Sequence, residues 1–262
     1  MSAHIIAVAS QKGGVAKTTS SINVSVALAE LNRKLKIAVV DLDPQGHVAA
    51  SFSYNKSAFK KTIYDVLIGD VKMRKIGVRT KYGIDIFPSN TELANLDVDI
   101  TNNPEVFPNP LHVLHKALDD IRDMYDIIFI DCPPSLTLAT KNALTASNEV
   151  IIPIKCEHLS VDGLVDLLKT INDVQKEANP NLKIKGVVAT MMSSRGHLNG
   201  VVLQETKVYC EKLGIHVFLN TVRNSVRIAS AVGEGIPAIH FDRRNDAVQD
   251  YIRLTKEVFK LE

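Results

Sequence analysis

The chain has 262 residues, 45% of them hydrophobic, enough to bury a sizeable core within the size range of a single α/β domain. Its 31 Lys and Arg against 29 Asp and Glu leave a formal charge of +2, which by itself marks neither a nucleic-acid binder nor an acidic scaffold, although residues 183–262 carry twelve basic against eight acidic side chains. No apolar run approaches the roughly 18 residues of a membrane span, no secretory pattern opens the chain, and Cys132, Cys156 and Cys210 form no CxxC pair, so a cytoplasmic protein with reduced thiols is expected.

In chain order, short β-branched runs alternate with longer stretches of helical periodicity. A strand over 4–9 leads through a glycine-rich turn to a helix over 18–31, and a second strand covers 36–41. The polar segment 51–61, with three lysines and three serines, reads as a surface excursion. A shorter strand over 83–88 and a Pro-containing loop over 102–110 precede a helix that starts near Leu111. Strands over 125–131, 149–154 and 184–189 are separated by helices over 136–146 and 160–174, and helices over 200–213 and 245–259 complete the series. The strands are nearly continuous in Ile and Val, as burial on both faces requires. The expected fold is α/β: a mostly parallel twisted sheet flanked by helices on both faces, in one domain over residues 1–262. His112 and His115 share a helical spacing but lack an acidic or cysteine partner, so they read as a solvated face, not a metal site.

The segment Gln11-Lys12-Gly13-Gly14-Val15-Ala16-Lys17-Thr18-Thr19 follows an apolar strand and opens a helix, the context of a phosphate-binding loop and of a P-loop NTPase fold. The strict GxxxxGK[ST] pattern fails at both glycines, where Gln11 and Ala16 stand. The physics survives: Gly13 and Gly14 free the backbone to aim N–H groups at an anion, and the helix start adds its unpaired N–H groups and positive dipole end. Lys17 is placed for the β- and γ-phosphates of a nucleotide and the Thr18 hydroxyl for Mg²⁺.

Two carboxylates, Asp41 and Asp43, emerge at the end of the second strand, where open α/β sheets place their ligands, and Pro44 can aim Asp43 separately. Downstream, IIFIDCPPS delivers Asp131 at the end of a buried strand, the arrangement in which a carboxylate holds a Mg²⁺-bound water.

The run KGGVAKTT resembles the deviant Walker A motif of the ParA/MinD superfamily, whose usual spelling has Gly at the position of Ala16. DLDPQG and DCPPS are similar to the two switches of ParA/Soj partition ATPases, and NALTASNEVIIPIKCEHLSVDGL and NTVRNSVRIASAVGEGIPAIHFDRR extend the likeness through most of the chain. The resemblance implies an ATPase that binds ATP and Mg²⁺ through Lys12, Gly13, Gly14, Val15, Ala16, Lys17, Thr18 and Thr19, with Thr18, Asp41 and Asp131 around the metal. It makes Lys12, Lys17 and Asp43 catalytic, Lys12 reaching across an ATP-bound homodimer and Asp43 orienting the attacking water. It further implies nonspecific DNA binding through Arg195, Arg223 and Arg227, nucleoid association in the ATP state, and stimulation by a ParB-like partner in chromosome or plasmid partition. The last segment, YIRLTKEVFKLE, lacks the basic amphipathic extension of a MinD-like membrane binder, so no membrane partner is expected. The competing expectation is a nucleotide-dependent scaffold whose hydrolysis is weakened by Ala16.

Overall fold

A computed structural model describes residues 2–157, 160–193 and 197–261. The chain runs through β1 (His4–Val8), α1 (Lys17–Leu31), β2 (Ile37–Asp41), α2 (His47–Ala50), α3 (Ile63–Leu67), β3 (Val78–Arg79), β4 (Ile84–Phe87), α4 (Leu96–Asn102) and α5 (Val113–Leu118). It continues through β5 (Ile127–Asp131), α6 (Leu138–Ala146), β6 (Glu149–Lys155), α7 (Ser160–Glu177), β7 (Lys183–Thr190), α8 (His197–Lys212), α9 (Val226–Gly233), α10 (Ala238–Phe241) and α11 (Asp246–Phe259). Seven strands pair in the order β3-β4-β2-β5-β1-β6-β7, all parallel except the β3–β4 pair.

Alternation along each strand splits the core into two layers. Ile5, Ala7, Ile128 and Ile130 face the layer packed by α3 to α8, whereas Ile6, Val8, Ile127 and Phe129 face α1, α2 and α9 to α11. Both faces of the sheet are therefore dry, which is why its strands carry apolar residues without a polar alternation.

Three parts depart from the sequence expectation. Helix α1 is buried on almost every side, because the sheet lies beneath it and α10 and α11 lie over it. Its polar residues consequently bond inward, with Asn23 Nδ2 donating to the Thr19 carbonyl at 2.8 Å and Ser25 Oγ to that of Ile22 at 2.8 Å. Segment 51–61 is anchored, not merely superficial: Phe52 is buried with its ring 5.7 Å from that of Tyr82. The short elements β3, α9 and α10 lie in stretches left without regular structure, being too brief for periodicity to show.

Phe129 sits at the centre of this design, fully buried on β5 with its ring edge-on to Phe259 of α11 at 6.2 Å. Phe129→Ala should cost about 3–5 kcal/mol of unfolding free energy, read from the midpoint of a urea titration, because the rigid sheet cannot collapse into the space left.

Candidate functional site

The loop between β1 and α1 bends through two left-handed residues, Gly14 at φ 70° and Ala16 at φ 60°, ψ 34°. Glycine reaches this region freely, but the Ala16 Cβ crowds its own carbonyl at a cost of roughly 1–2 kcal/mol. No side chain caps the first turn of α1, so its N–H groups stay directed at whatever anion occupies the loop. The loop is tethered from behind by Thr190, whose Oγ1 lies 2.9 Å from the Val15 carbonyl and 3.0 Å from that of Ile154.

The two lysines of the loop take different directions. Lys17 is buried, and its Nζ donates to the Lys12 carbonyl at 3.0 Å. Burial holds its ammonium below the usual lysine range, while Asp131 and Asp43 pull the other way. The Lys12 side chain leaves the loop and places its Nζ 3.7 Å from Glu157 Oε2, beyond the end of β6.

Three carboxylates, Asp41, Asp43 and Asp131, lie at the carboxyl ends of β2 and β5, and two of them, Asp43 and Asp131, act on Lys17. Asp131 is fully buried and accepts from Thr18 Oγ1 at 2.6 Å and Ser21 Oγ at 2.9 Å, so α1 is pinned to β5 through hydroxyls at i and i+3. Asp41 lies beside it in register across the parallel β2–β5 pair. Burial and the neighbouring Asp131 push Asp41 well above the ordinary carboxylate range, and burial lifts Asp131 to about 6. Asp41 Oδ1 accepts the Asp43 N–H at 3.0 Å and its Oδ2 the Val48 N–H at 3.1 Å, so both oxygens brace the following turn. That turn closes from Gly46 N–H to the Asp43 carbonyl at 3.0 Å, and Asp43 Oδ1 accepts the Gln45 N–H at 2.9 Å. Among the described residues no three His, Cys, Asp or Glu side chains form a metal cage. A hydroxyl and a carboxylate side by side, with a second buried carboxylate adjacent, are an oxygen-only donor set of the kind that suits Mg²⁺.

Beside Gly14, Ala16 and Thr19 opens a cavity of 350 Å³, walled by Met191, Val222, Ile228, Ala229 and Val232, with Arg223, Asn224, Ser225 and Tyr251 contributing polar atoms. The Tyr251 hydroxyl stands 3.2 Å from Ser20 Oγ of α1. Apolar walls with a few polar groups next to an anion site suit a flat heterocycle joined to a phosphate chain. Sequence reasoning singled out the stretch from Asn220 to Arg244 but gave it no place beside the loop, which lies about two hundred positions away. Ser21 was legible in principle, since it follows Lys17 by one helical turn.

Of the three arginines singled out for DNA, Arg195 lies outside the described residues. Arg223 gives Nε to Asp250 at 2.7 Å and Nη1 to Asp246 at 3.0 Å; Arg227 gives Nε to Asp242 at 2.8 Å, with its guanidinium 4.9 Å from the Phe241 ring centre.

Residues 3–184 match the AAA domain family. The sporulation initiation inhibitor protein Soj of Bacillus subtilis is 37% identical over 257 residues, covering 97% of each chain. The chain belongs to the ParA/Soj family of partition ATPases. The chromosome partitioning protein ParA of Caulobacter vibrioides is 33% identical, covering 99% of this chain and 95% of its own. Among solved structures, cobyrinic acid a,c-diamide synthase from Mycobacterium smegmatis, with an ATP analogue and magnesium bound, superposes with a TM-score of 0.86 at 31% identity, covering 98% and 94% of the two chains. The usual family glycine is thus replaced, in this ParA/Soj chain, by an alanine that keeps the glycine-like backbone.

Two outcomes follow. Ala16→Gly should raise the urea midpoint by the equivalent of about 0.5–1 kcal/mol, the left-handed penalty less the extra entropy of an unfolded glycine. Asp131 binds its proton more tightly folded than unfolded, so its contribution is fully present below the ordinary carboxylate pKa and is lost as pH rises toward about 6. The stability of nucleotide-free Asp131→Asn minus that of wild type should therefore grow by on the order of 2 kcal/mol between about pH 4 and pH 7, measured by urea unfolding at each pH.

Proposed function

We propose that the protein is an ATP-dependent dimerisation switch that binds DNA without sequence preference and hydrolyses ATP to drive chromosome or plasmid partition with a ParB-like partner. The observation that supports this reading is the divergence of the two loop lysines: Lys17 is buried and donates to the Lys12 carbonyl, whereas Lys12 leans outward toward Glu157. One lysine suffices for a nucleotide held by a single chain. A second, aimed away, serves a nucleotide held by another chain, where it supplies charge stabilisation only on closure.

In this mechanism the base enters the 350 Å³ cavity and the phosphates take the N–H groups of residues 13–19. Thr18 and, through water, Asp131 would hold a Mg²⁺, which when bound would offset phosphate charge. Asp43 is fixed through Oδ1 by the Gln45 N–H, which leaves Oδ2 to accept from a water aligned on the γ-phosphorus. As that water attacks, the bond to the bridging oxygen breaks, the water proton passes to Asp43, and the two lysines meet the charge that builds on the departing oxygen and the γ-phosphoryl group. Loss of the γ-phosphate removes the Lys12 contact across the interface, and the dimer opens. Asp41 acts by holding the 43–48 turn that carries Asp43.

Ala16 lines the cavity with a Cβ, which favours one second reading: a scaffold that dimerises on ATP with negligible turnover. Phosphate release in the presence of duplex DNA and partner separates the two.

Analytical ultracentrifugation with ADP, ATP and an unhydrolysable analogue tests the switch. Wild type should be monomeric with ADP and dimeric with either triphosphate, and Lys12→Ala should stay monomeric while binding nucleotide within a few-fold of wild type. Asp43→Ala should dimerise on ATP yet release phosphate about 100-fold more slowly or worse. A Lys12→Ala protein that dimerises normally would remove the basis of the reading.

A further inference from the structure

The phosphate loop and the wall of the cavity beside it come from distant parts of the chain, and they meet at one fully buried side chain, Thr190, the last residue of β7. Its Oγ1 lies 2.9 Å from the Val15 carbonyl in the loop and 3.0 Å from the Ile154 carbonyl on β6, so a single hydroxyl proton is shared between two acceptors. The backbone on either side of Thr190 carries the wall. The Val222 N–H donates to the Ala189 carbonyl at 2.8 Å, the Met192 N–H to the Val222 carbonyl at 3.0 Å and the Asn224 N–H to the Met192 carbonyl at 2.9 Å. Residues 222–224 line the cavity and hang from residues 189–192, and the loop hangs from the residue in their midst.

Backbone strain gathers at the same junction. Among the described residues, four that are not glycine have positive φ, and two of them, Ala16 at 60° and Met191 at 52°, line this one cavity. Each directly follows one end of the Thr190–Val15 bond. Neither side chain favours the left-handed region, because its Cβ crowds the backbone carbonyl. Such residues persist where the surroundings over-determine them, and they cluster where a ligand is clamped. A hydroxyl that served only to satisfy the buried Ile154 carbonyl would require neither a second acceptor in the loop nor a strained neighbour at each end.

We propose that Thr190, together with the left-handed turn at Met191, is a positioning residue that fixes the spacing between the base wall and the phosphate loop, an inference that rests on the placement of base and phosphates in the reading above. A nucleotide profits from fixed spacing only as a joined molecule. Once its phosphates are seated, the base meets the wall as an intramolecular partner, at an effective concentration set by how narrowly the two subsites are held relative to each other. With the brace removed, adenosine and a phosphate chain still find their own subsites, but joining them contributes less.

The test measures ADP, adenosine and inorganic pyrophosphate, each with Mg²⁺, by displacement of a fluorescent ADP analogue from wild type, T190V, T190S and M191G. The diphosphate is used because the reading above leaves the protein monomeric with it. The quantity compared is the product of the adenosine and pyrophosphate dissociation constants divided by that of ADP, in which a uniform loss at either subsite, such as the missing Met191 side chain, cancels. It should fall about 10-fold or more in T190V and in M191G and stay within a few-fold of wild type in T190S, which keeps the hydroxyl. Urea midpoints report that each variant is folded, and M191G carries the decision alone if T190V is not. If the quotient is unchanged in folded T190V or in M191G, or T190S loses as much as T190V, the positioning role falls while the base-cavity reading stands. If wild type binds ADP no more tightly than pyrophosphate, or adenosine fails to displace the analogue, the base-cavity reading falls and the inference with it.

Discussion

Two buried carboxylates set side by side, Asp41 and Asp131, are the constraint around which the molecule is organised. Each is costly alone in a dry interior, and their mutual repulsion raises the cost. The fold answers with donors of two kinds, hydroxyls from α1 for Asp131 and backbone N–H groups of the 43–48 turn for Asp41, with the buried Lys17 ammonium attracted by Asp131 and Asp43. Burial nonetheless holds both carboxyls toward their protonated forms, so a cation entering beside them would displace protons. Helix, sheet and turn are each fastened to this one point, which makes the state of the metal and nucleotide a mechanical variable for all three.

The same arrangement explains why the loop tolerates Ala16. Its left-handed backbone is imposed from both ends, by the Val15 carbonyl under the Thr190 hydroxyl and by the start of α1 pinned through Thr18 and Ser21. A strained residue persists where its surroundings over-determine it. Here those surroundings are the parallel strands β6 and β7 behind the loop and β5 beneath it.

Strands, the phosphate loop and the three acidic positions were legible in the sequence because each rests on local information: an apolar run, a glycine pair before a helix, an aspartate at a strand end. The cavity wall was not, because Met191, Asn224, Ser225 and Tyr251 meet the loop only through the tertiary fold. The bracing contacts of Asp41 were hidden for a related reason. Spacing places it near Asp43 but does not reveal that its two oxygens take N–H groups up to seven residues ahead. Helix α1 read as amphipathic from its apolar positions, yet packing on both sides gave its serines and asparagine buried partners instead of solvent.

Arg223 belongs to two surfaces at once: it contributes to the cavity beside the phosphate loop, and its guanidinium locks α11 through Asp250. A side chain so placed cannot be altered for one purpose only. Any evolutionary change there that tuned the outward charge of the protein would also loosen the wall against which a base rests, and selection on either property would drag the other with it. Replacing Arg223 is therefore at once a change to the outer charge, to the cavity wall and to the seating of α11.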